Sequence, residues 1–245
     1  MRNRRKSFRC GRCRTEIAPL KGTIFEKSKT PLPLWFHALL IFSNAKSGIS
    51  AMELKRNLSV TYKCAWRMLA RIRSSLVQGT RKLSGIVETD GAHLGGKANP
   101  RTKRNKPVVQ AAIERRGEAR ARFVAGTGSK PTTEFVFTHV DRGSRLMTDK
   151  SMSYIPVDRA YRTEWVNHSK KEYVRGDVYV NTVDSFWSHV KRSITGTHKS
   201  VSKRHLQSYL DAFVFHYNNA HSDRKRFGML LGLVLASGAK TRSGA

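Results

Sequence analysis

Acidic residues are scarce in this sequence: 17 Asp and Glu stand against 47 Lys and Arg, a formal net charge of +30 over 245 residues. A compact chain with that imbalance repels itself, so the expected partner is a polyanion, nucleic acid first and an anionic membrane surface second. Cysteine is scarcer still. Cys10, Cys13 and Cys64 are too few for a disulfide framework and fit a reducing cytoplasm. Long apolar runs are missing as well: Phe227 to Ala239, the longest near the end, spans 13 residues, short of the ~20 a bilayer crossing takes, and no apolar h-region follows the Arg-rich start. The sequence therefore predicts a soluble, cytoplasmic chain with no membrane partner. Hydrophobic residues at 39% and aromatics at 9% are enough for one or two domains with a real core, and they exclude wholesale disorder.

The first fourteen residues hold Arg2, Arg4, Arg5, Lys6, Arg9, Arg12 and Arg14 and no acid. Within them, Cys10-Gly-Arg-Cys13 supplies either two zinc thiolates, a redox pair, or simply two reduced cysteines in a basic arm; a full zinc site needs two more ligands. From Leu34 to Phe42 the chain reads as a buried helix announced by Pro31 and Pro33. Ser50 with Glu53 has capping-box spacing for a second helix carrying Met52, Leu54 and Leu58. After a tight turn, Thr61 is placed to cap a third helix with Ala65, Met68, Leu69, Ile72 and Leu76 at helical intervals. Lys63, Arg67, Arg71 and Arg73 form its expected exposed face. Three such helices read as helix-turn-helix with a basic recognition helix, or as a small bundle with a solvated basic face. Trp35, Trp66 and Trp187 fall on apolar helical faces and are expected in the core, and Cys64 is expected to be a small buried hydrophobe.

Near residue 82 the periodicity changes to strands. Gly85–Asp90, Pro107–Glu114 and Arg120–Ala125 read as a meander, Thr132–Val140 as a helix, and Ser144–Thr148 as a further strand ending at Asp149. A basic loop with Lys97, Arg101, Lys103, Arg104 and Lys106 follows the first of these strands. Ser151–Gly176 looks irregular, with short helix. After Asn181 a helix buries Val183, Phe186, Trp187, Val190 and Ile194, and another runs from Ser202 to Asn218. His168, His189, His198 and His205 lack metal-ligand spacing; His198 and His205, beside Lys199, Lys203 and Arg204, are expected on a nucleic-acid-facing surface.

In so basic a chain, acids at the ends of apolar strands stand out. Asp90 and Asp149 both occupy that position, and Asp184 lies early in the next helix, beside its apolar stripe. Converging carboxylates suit Mg²⁺ or Mn²⁺, and two such ions about 3.5–4 Å apart activate an attacking hydroxyl and stabilise a leaving oxygen in phosphodiester chemistry. Spacing alone equally allows turn-capping and helix-dipole roles for these acids.

The stretches Val87-Glu-Thr-Asp-Gly-Ala-His-Leu-Gly-Gly-Lys97, Asn167-His-Ser-Lys-Lys-Glu-Tyr-Val-Arg-Gly-Asp177 and Asn181-Thr-Val-Asp-Ser-Phe-Trp187 carry a resemblance, with Lys191-Arg192 and Gly196-Thr197. Gly22-Thr-Ile-Phe25, Ala65-Trp-Arg-Met68 and Ser202-Lys-Arg-His-Leu206 extend it over nearly the whole chain. Together they resemble bacterial insertion-sequence transposases of the group with an N-terminal zinc ribbon, a helix-turn-helix and a DDE-type RNase H-like domain. The resemblance implies an α/β (α+β overall) fold: basic arm and partial ribbon over 1–30, helix-turn-helix over 31–82, RNase H-like domain with a mixed sheet flanked by helices over 83–220, and a tail over 221–245. It implies a DNA transposase that binds element ends and performs metal-dependent strand cleavage and transfer, as a homo-oligomer on double-stranded DNA near the nucleoid. Asp90 falls at the family's first catalytic Asp and Asp149 at its second, while Asn181 and Asp184 fill the third motif. The 34 residues between Asp149 and Asp184 favour Asp184 as the ligand. Lys191, two turns on, is placed to meet phosphate, and Lys63, Arg67, Arg71 and Arg192 are the other expected DNA contacts. This chain departs from the family at Asp184, usually Glu, at Tyr179, usually His, and in carrying one CxxC, Cys10 and Cys13, of the ribbon's two. Those departures keep two rivals in view, a repurposed non-catalytic DNA-binding protein and an RNase H-like nuclease. Glu88 shares a strand face with Asp90 and reads as a structural acid.

Overall fold

A computed structural model describes residues 7–95, 106–124, 126, 128–149, 151–167 and 172–236, with the Ile17 side chain left out. Arg2, Arg4, Arg5, Lys6, the basic loop from Gly96 to Asn105 and His168 lie outside the described residues. The chain divides into two compact units, one drawn from Met1–Asn44, Ala51–Val77 and Ser222–Ala245, the other from Ala45–Ser50 and Gln78–His221. The first contains β1 (Phe8–Arg9), β2 (Glu16–Ile17), α1 (Leu32–Asn44), α2 (Ala51–Leu58) and α3 (Tyr62–Ser75). The second contains β3 (Ile86–His93), β4 (Val108–Glu114), β5 (Ala119–Val124), α4 (Ser129–His139), β6 (Arg145–Asp149), α5 (Ile155–Asp158), β7 (Arg162–Val166), β8 (Val174–Arg175), β9 (Val178–Tyr179), α6 (Asn181–Ser193) and α7 (Lys203–Asn218). A last helix, α8 (Asp223–Ala236), returns to the first unit.

In the first unit α1 buries Trp35, Ala38, Leu39 and Phe42, one face at 3–4 residue spacing. The Trp35 indole N–H donates to Ser28 Oγ at 3.0 Å, and its ring meets Phe25 edge-on at 5.5 Å. Ser59, at φ +52°, turns the chain between α2 and α3. Thr61 then caps α3 by accepting the Cys64 N–H at 3.3 Å. The stripe Ala65, Met68, Leu69 and Ile72 is buried, but Trp66 falls outside it and is 42% exposed, unlike Trp35 and Trp187, which are core.

The segment expected as a tail instead carries α8, packed against α1 and α3. Arg226, Leu230 and Val234, each four residues apart, are all fully buried. The Arg226 guanidinium survives burial by donating to the Ser43 carbonyl at 2.9 Å and pairing with Asp223 at 3.1 Å. An arginine in the buried stripe is what disguised this helix in the sequence.

The second unit is built on a five-stranded mixed sheet of order β5-β4-β3-β6-β7. β3–β4 and β4–β5 run antiparallel, β3–β6 and β6–β7 parallel. This is an α/β RNase H-like architecture, as the sequence predicts. On one face Ala92, Val109, Ala111, Ile113 and Met147 pack with Val183, Phe186, Trp187 and Val190 of α6 and with Leu206, Leu210 and Phe213 of α7. On the other, Val87, Ala112 and Leu146 meet Phe135, Val136, Tyr154 and Val157. The stretch read as irregular contains β7, an edge strand in which Val166 alone is fully buried, so it lacks the alternation that marks strands in sequence.

The opposite edge, β5, is closed by side-chain amides in place of another strand. Asn218 accepts the Ala119 N–H at 2.7 Å, Gln78 accepts the Ala121 N–H at 2.9 Å and donates to its carbonyl at 2.6 Å, and Gln207 accepts the Phe123 N–H at 2.8 Å. Gln78 and Gln207 also donate to Asp211 Oδ1 at 2.7 and 2.8 Å. A bare β5 edge would be a template for pairing with another chain. Gln207→Leu therefore strands the Phe123 N–H and should cost about 1–3 kcal/mol in denaturant unfolding, with concentration-dependent association in sedimentation; an unchanged midpoint would contradict the role. Leu230→Ala should cost about 2–5 kcal/mol, while Leu235→Ala, at a position 48% exposed, should cost little. Equal losses in the two variants would argue against the packing of α8.

Candidate active site

The site is assembled by strand register. β3 pairs β6 in parallel, with Glu88 opposite Met147 as the last pair, and Asp90 and Asp149 each lie two residues further along their strands. Because side chains alternate, Asp90 and Asp149 share the face of Glu88 and Met147, the one α6 covers. Asp184 lies in the first turn of α6. Its charge reaches Asp90: burial, then Asp149, then Asp184 push the Asp90 carboxyl up to about 7, against the pull of the Gly91 backbone N–H and the Lys191 cation. The fold thus brings together Asp90, Asp149, Asp184 and Lys191. Asn181, the first residue of α6, is exposed, as are Lys191 and Arg192.

A cavity of about 100 Å³ opens beside Asp90 and Asp149, walled by Gln110, Ser151, Ser153 and Tyr154. Gly91 is small for a reason here. A Cβ on it would sit 2.9 Å from Gln110 Nε2, which donates to Thr132 at 3.1 Å while Gln110 Oε1 accepts the Tyr154 hydroxyl at 3.4 Å. Burial, with the Asp90 charge, holds the Tyr154 hydroxyl well above its ordinary pKa, so Tyr154 serves as a neutral donor.

The donor set fits a hard divalent cation: carboxylate oxygens, one of them destabilised as an anion by its neighbours, which a cation would relieve. Among the described residues no three His, Cys, Asp or Glu side chains are drawn tightly enough to ligate one ion as they stand. Asp149 and Asp184 act on Asp90 through charge. At the N-terminus Cys10 and Cys13 flank a tight β1–β2 turn, with the Cys10 N–H donating to the Thr15 carbonyl and the Arg14 N–H to the Cys10 carbonyl, both at 2.9 Å. Hydrogen bonds from Thr15, then Cys10, bring the Cys13 thiol down to about 7. The pair supplies two of the four donors of a tetrahedral zinc site.

Several expected surface cations are engaged internally. Arg71 donates to the carbonyls of Ile24 at 2.6 Å and Glu26 at 2.9 Å, Arg67 donates to Thr30 Oγ1 at 2.8 Å, and Arg73 is 5% exposed. The exposed start of α3 consists of Tyr62, Lys63 and Trp66. His198 turns inward, its ring 4.8 Å from Tyr209 and 6.3 Å from Phe213, and His189 sits 3.2 Å from the Lys46 carbonyl. Sequence reasoning missed the reach of Glu88, whose carboxylate has no exposure and spans from β3 to the start of α6. An acid alternating with Asp90 in an apolar strand was the available signal.

Residues 82–218 match the ISXO2-like transposase domain family. Across 228 aligned residues the chain is 29% identical to an uncharacterised protein in transposable element ISH50 of Halobacterium salinarum, covering 84% of this chain and 76% of that protein. No helix among the described residues is long and apolar enough to cross a membrane.

The facing of the carboxylates has a direct readout. Asp149→Asn removes the strongest repelling charge, so the Asp90 carboxyl should titrate below about 7 in a carbon-detected NMR titration without divalent cations. An unmoved Asp90 would show that the two residues do not face each other.

Proposed function

The chain belongs to the ISXO2-like transposase family, insertion-sequence transposases of the DDE type, and from that premise we propose that it binds element ends and cuts and joins DNA strands at Asp90, Asp149 and Asp184. What supports this reading is placement: Asp90 lies in β3, Asp149 ends the neighbouring β6, and Asp184 sits in the first turn of α6, which packs on β3, with the charges of Asp149 and Asp184 raising the Asp90 carboxyl. Asp90, Asp149 and Asp184 are the residues that would hold Mg²⁺ or Mn²⁺, which when bound supplies activation of the attacking hydroxyl and stabilisation of the leaving oxygen. Lys191, exposed on α6 and electrostatically linked to Asp90, meets the scissile phosphate, and Arg192 extends the cationic surface. Tyr154, neutral and buried, together with Gln110 keeps the wall beside Asp90 rigid.

DNA recognition belongs to the N-terminal unit, with α2 and α3 as the helix-turn-helix and α3 as the helix that enters the major groove. Lys63 is the member of the expected basic set that faces outward there. Arg67 and Arg71 act at one remove, holding the 24–30 segment against α3. The +30 charge supplies phosphate affinity, and joining two element ends calls for more than one copy on the DNA.

The test is a cleavage and strand-transfer assay on a DNA fragment carrying the element's terminal repeat, with gel shifts on the same preparations. Asp90→Asn and Asp149→Asn should each abolish Mg²⁺-dependent cutting and leave the gel shift intact or slightly stronger, since each removes a negative charge facing phosphate. Binding should weaken with salt at a log–log slope of about −0.9 per phosphate neutralised. If the parent protein binds but never cuts, in Mg²⁺ or Mn²⁺, the chain is a non-catalytic DNA-binding protein and the catalytic assignment is wrong.

A further inference from the structure

Glu88 has no solvent exposure, and it pairs with Arg115. A buried carboxylate must be paired and hydrogen-bonded to persist, and its partners all lie at the approach to Asp184. Glu88 Oε2 accepts the N–H groups of Thr182 at 2.7 Å and Val183 at 3.2 Å, and Oε1 accepts the Thr182 hydroxyl at 2.9 Å and Arg115 Nε at 2.8 Å. The first N–H groups of a helix have no intrahelical acceptor, and the residue preceding α6, Val180, offers no side-chain cap. The cap of α6 comes instead from strand β3, 94 residues away in sequence. Arg115 completes the arrangement. Its two terminal nitrogens donate to the carbonyls of Asp177 at 2.8 Å and Tyr179 at 2.9 Å, and its guanidinium lies 3.6 Å over the Tyr179 ring. One ion pair therefore grips both the β8–β9 hairpin that feeds into α6 and the first turn of α6 itself.

We propose that Glu88 and Arg115 are positioning residues that set Asp184 against Asp90. The proposal rests on the reading of the three aspartates as one site. The grip falls two residues before Asp90 on β3 and one to two residues before Asp184 on α6, so it fixes their separation and the rotation of the α6 first turn. Three bonds to one carboxylate leave that turn little freedom. An aspartate at position 184 has a short arm, and a metal–oxygen bond tolerates little error, so its reach depends on where this turn is held.

The experiment compares the parent with Glu88→Gln, Thr182→Ala, Thr182→Ser and Asp90→Asn in four measurements: folding by circular dichroism, amide hydrogen exchange at Thr182 and Val183, Mn²⁺ affinity of the DNA-free protein by electron paramagnetic resonance, and kcat and KM for end cleavage. Glu88→Gln should stay folded, lose exchange protection at both amides, bind Mn²⁺ about tenfold more weakly and lose kcat by about tenfold or more, the scale of one charged hydrogen bond, with KM unchanged. Thr182→Ala should show the same pattern more weakly and Thr182→Ser should restore it, which keeps the test alive if Glu88→Gln does not fold. Glu88→Gln or Thr182→Ala with exposed amides but parental Mn²⁺ affinity and kcat overturns the positioning role, while the aspartate site stands if Asp90→Asn still abolishes both. If Asp90→Asn leaves both unchanged, the aspartate site itself falls and the positioning role falls with it.

Discussion

One buried carboxylate, Glu88, ties the second unit together. Asp90 and Asp149 each lie two residues beyond the last β3–β6 pair, but a helix packed on a sheet through apolar side chains can slide and rotate by fractions of an ångström at little cost. Glu88 removes that freedom, since its oxygens take the first free N–H groups of α6 at 2.7 and 3.2 Å. Arg115 makes the burial tolerable by matching the charge. The same logic recurs at the sheet's far end, where Arg145 pairs with Glu164 and Asp177 and so ties β6 to β7 and to the hairpin. Several of the few acids pair with arginines, Glu88 with Arg115, Glu164 with Arg145 and Asp223 with Arg226, while Asp90 feels the charges of Asp149 and Asp184.

The N-terminal unit uses its cations in a similar divided way. Arg71 spans 45–47 residues to two backbone carbonyls, and Arg67 spans 37 to a hydroxyl, so part of the apparent DNA-binding charge is structural. Arg226 does the same between α8 and the end of α1. Net charge is therefore a poor guide to which arginine touches phosphate. Exposure is the better guide, and on the proposed reading it favours Lys63 on α3 and Lys191 with Arg192 on α6 as the candidates.

Much of this was legible in the sequence. β3 to β6, α6 and α7 announce themselves because each carries an apolar run, buried along nearly its whole length in β4 and at helical spacing in α6, and Asp90, Asp149 and Asp184 were visible as acids bordering apolar segments. What was not legible depends on long-range partners. α8 hides behind a buried arginine whose acceptor is a carbonyl 183 residues earlier. β7 hides because an edge strand buries too little to alternate, and the amide ladder on β5 hides because Gln78, Gln207 and Asn218 look like ordinary surface residues. Trp66 was read by residue type, and its position off the buried stripe of α3 decides otherwise. Glu88 was seen to share a face with Asp90, but no local pattern reveals a strand residue capping a helix 94 positions away.

The account stands on Asp90, Asp149 and Asp184 forming one cation-binding site. The most direct measurement is an anomalous difference map from crystals of the protein soaked in Mn²⁺. The account predicts density between Asp90 and Asp149, extending toward Asp184, that disappears in Asp90→Asn. Mn²⁺ bound elsewhere on the protein, or density at this place that survives the substitution, would contradict it.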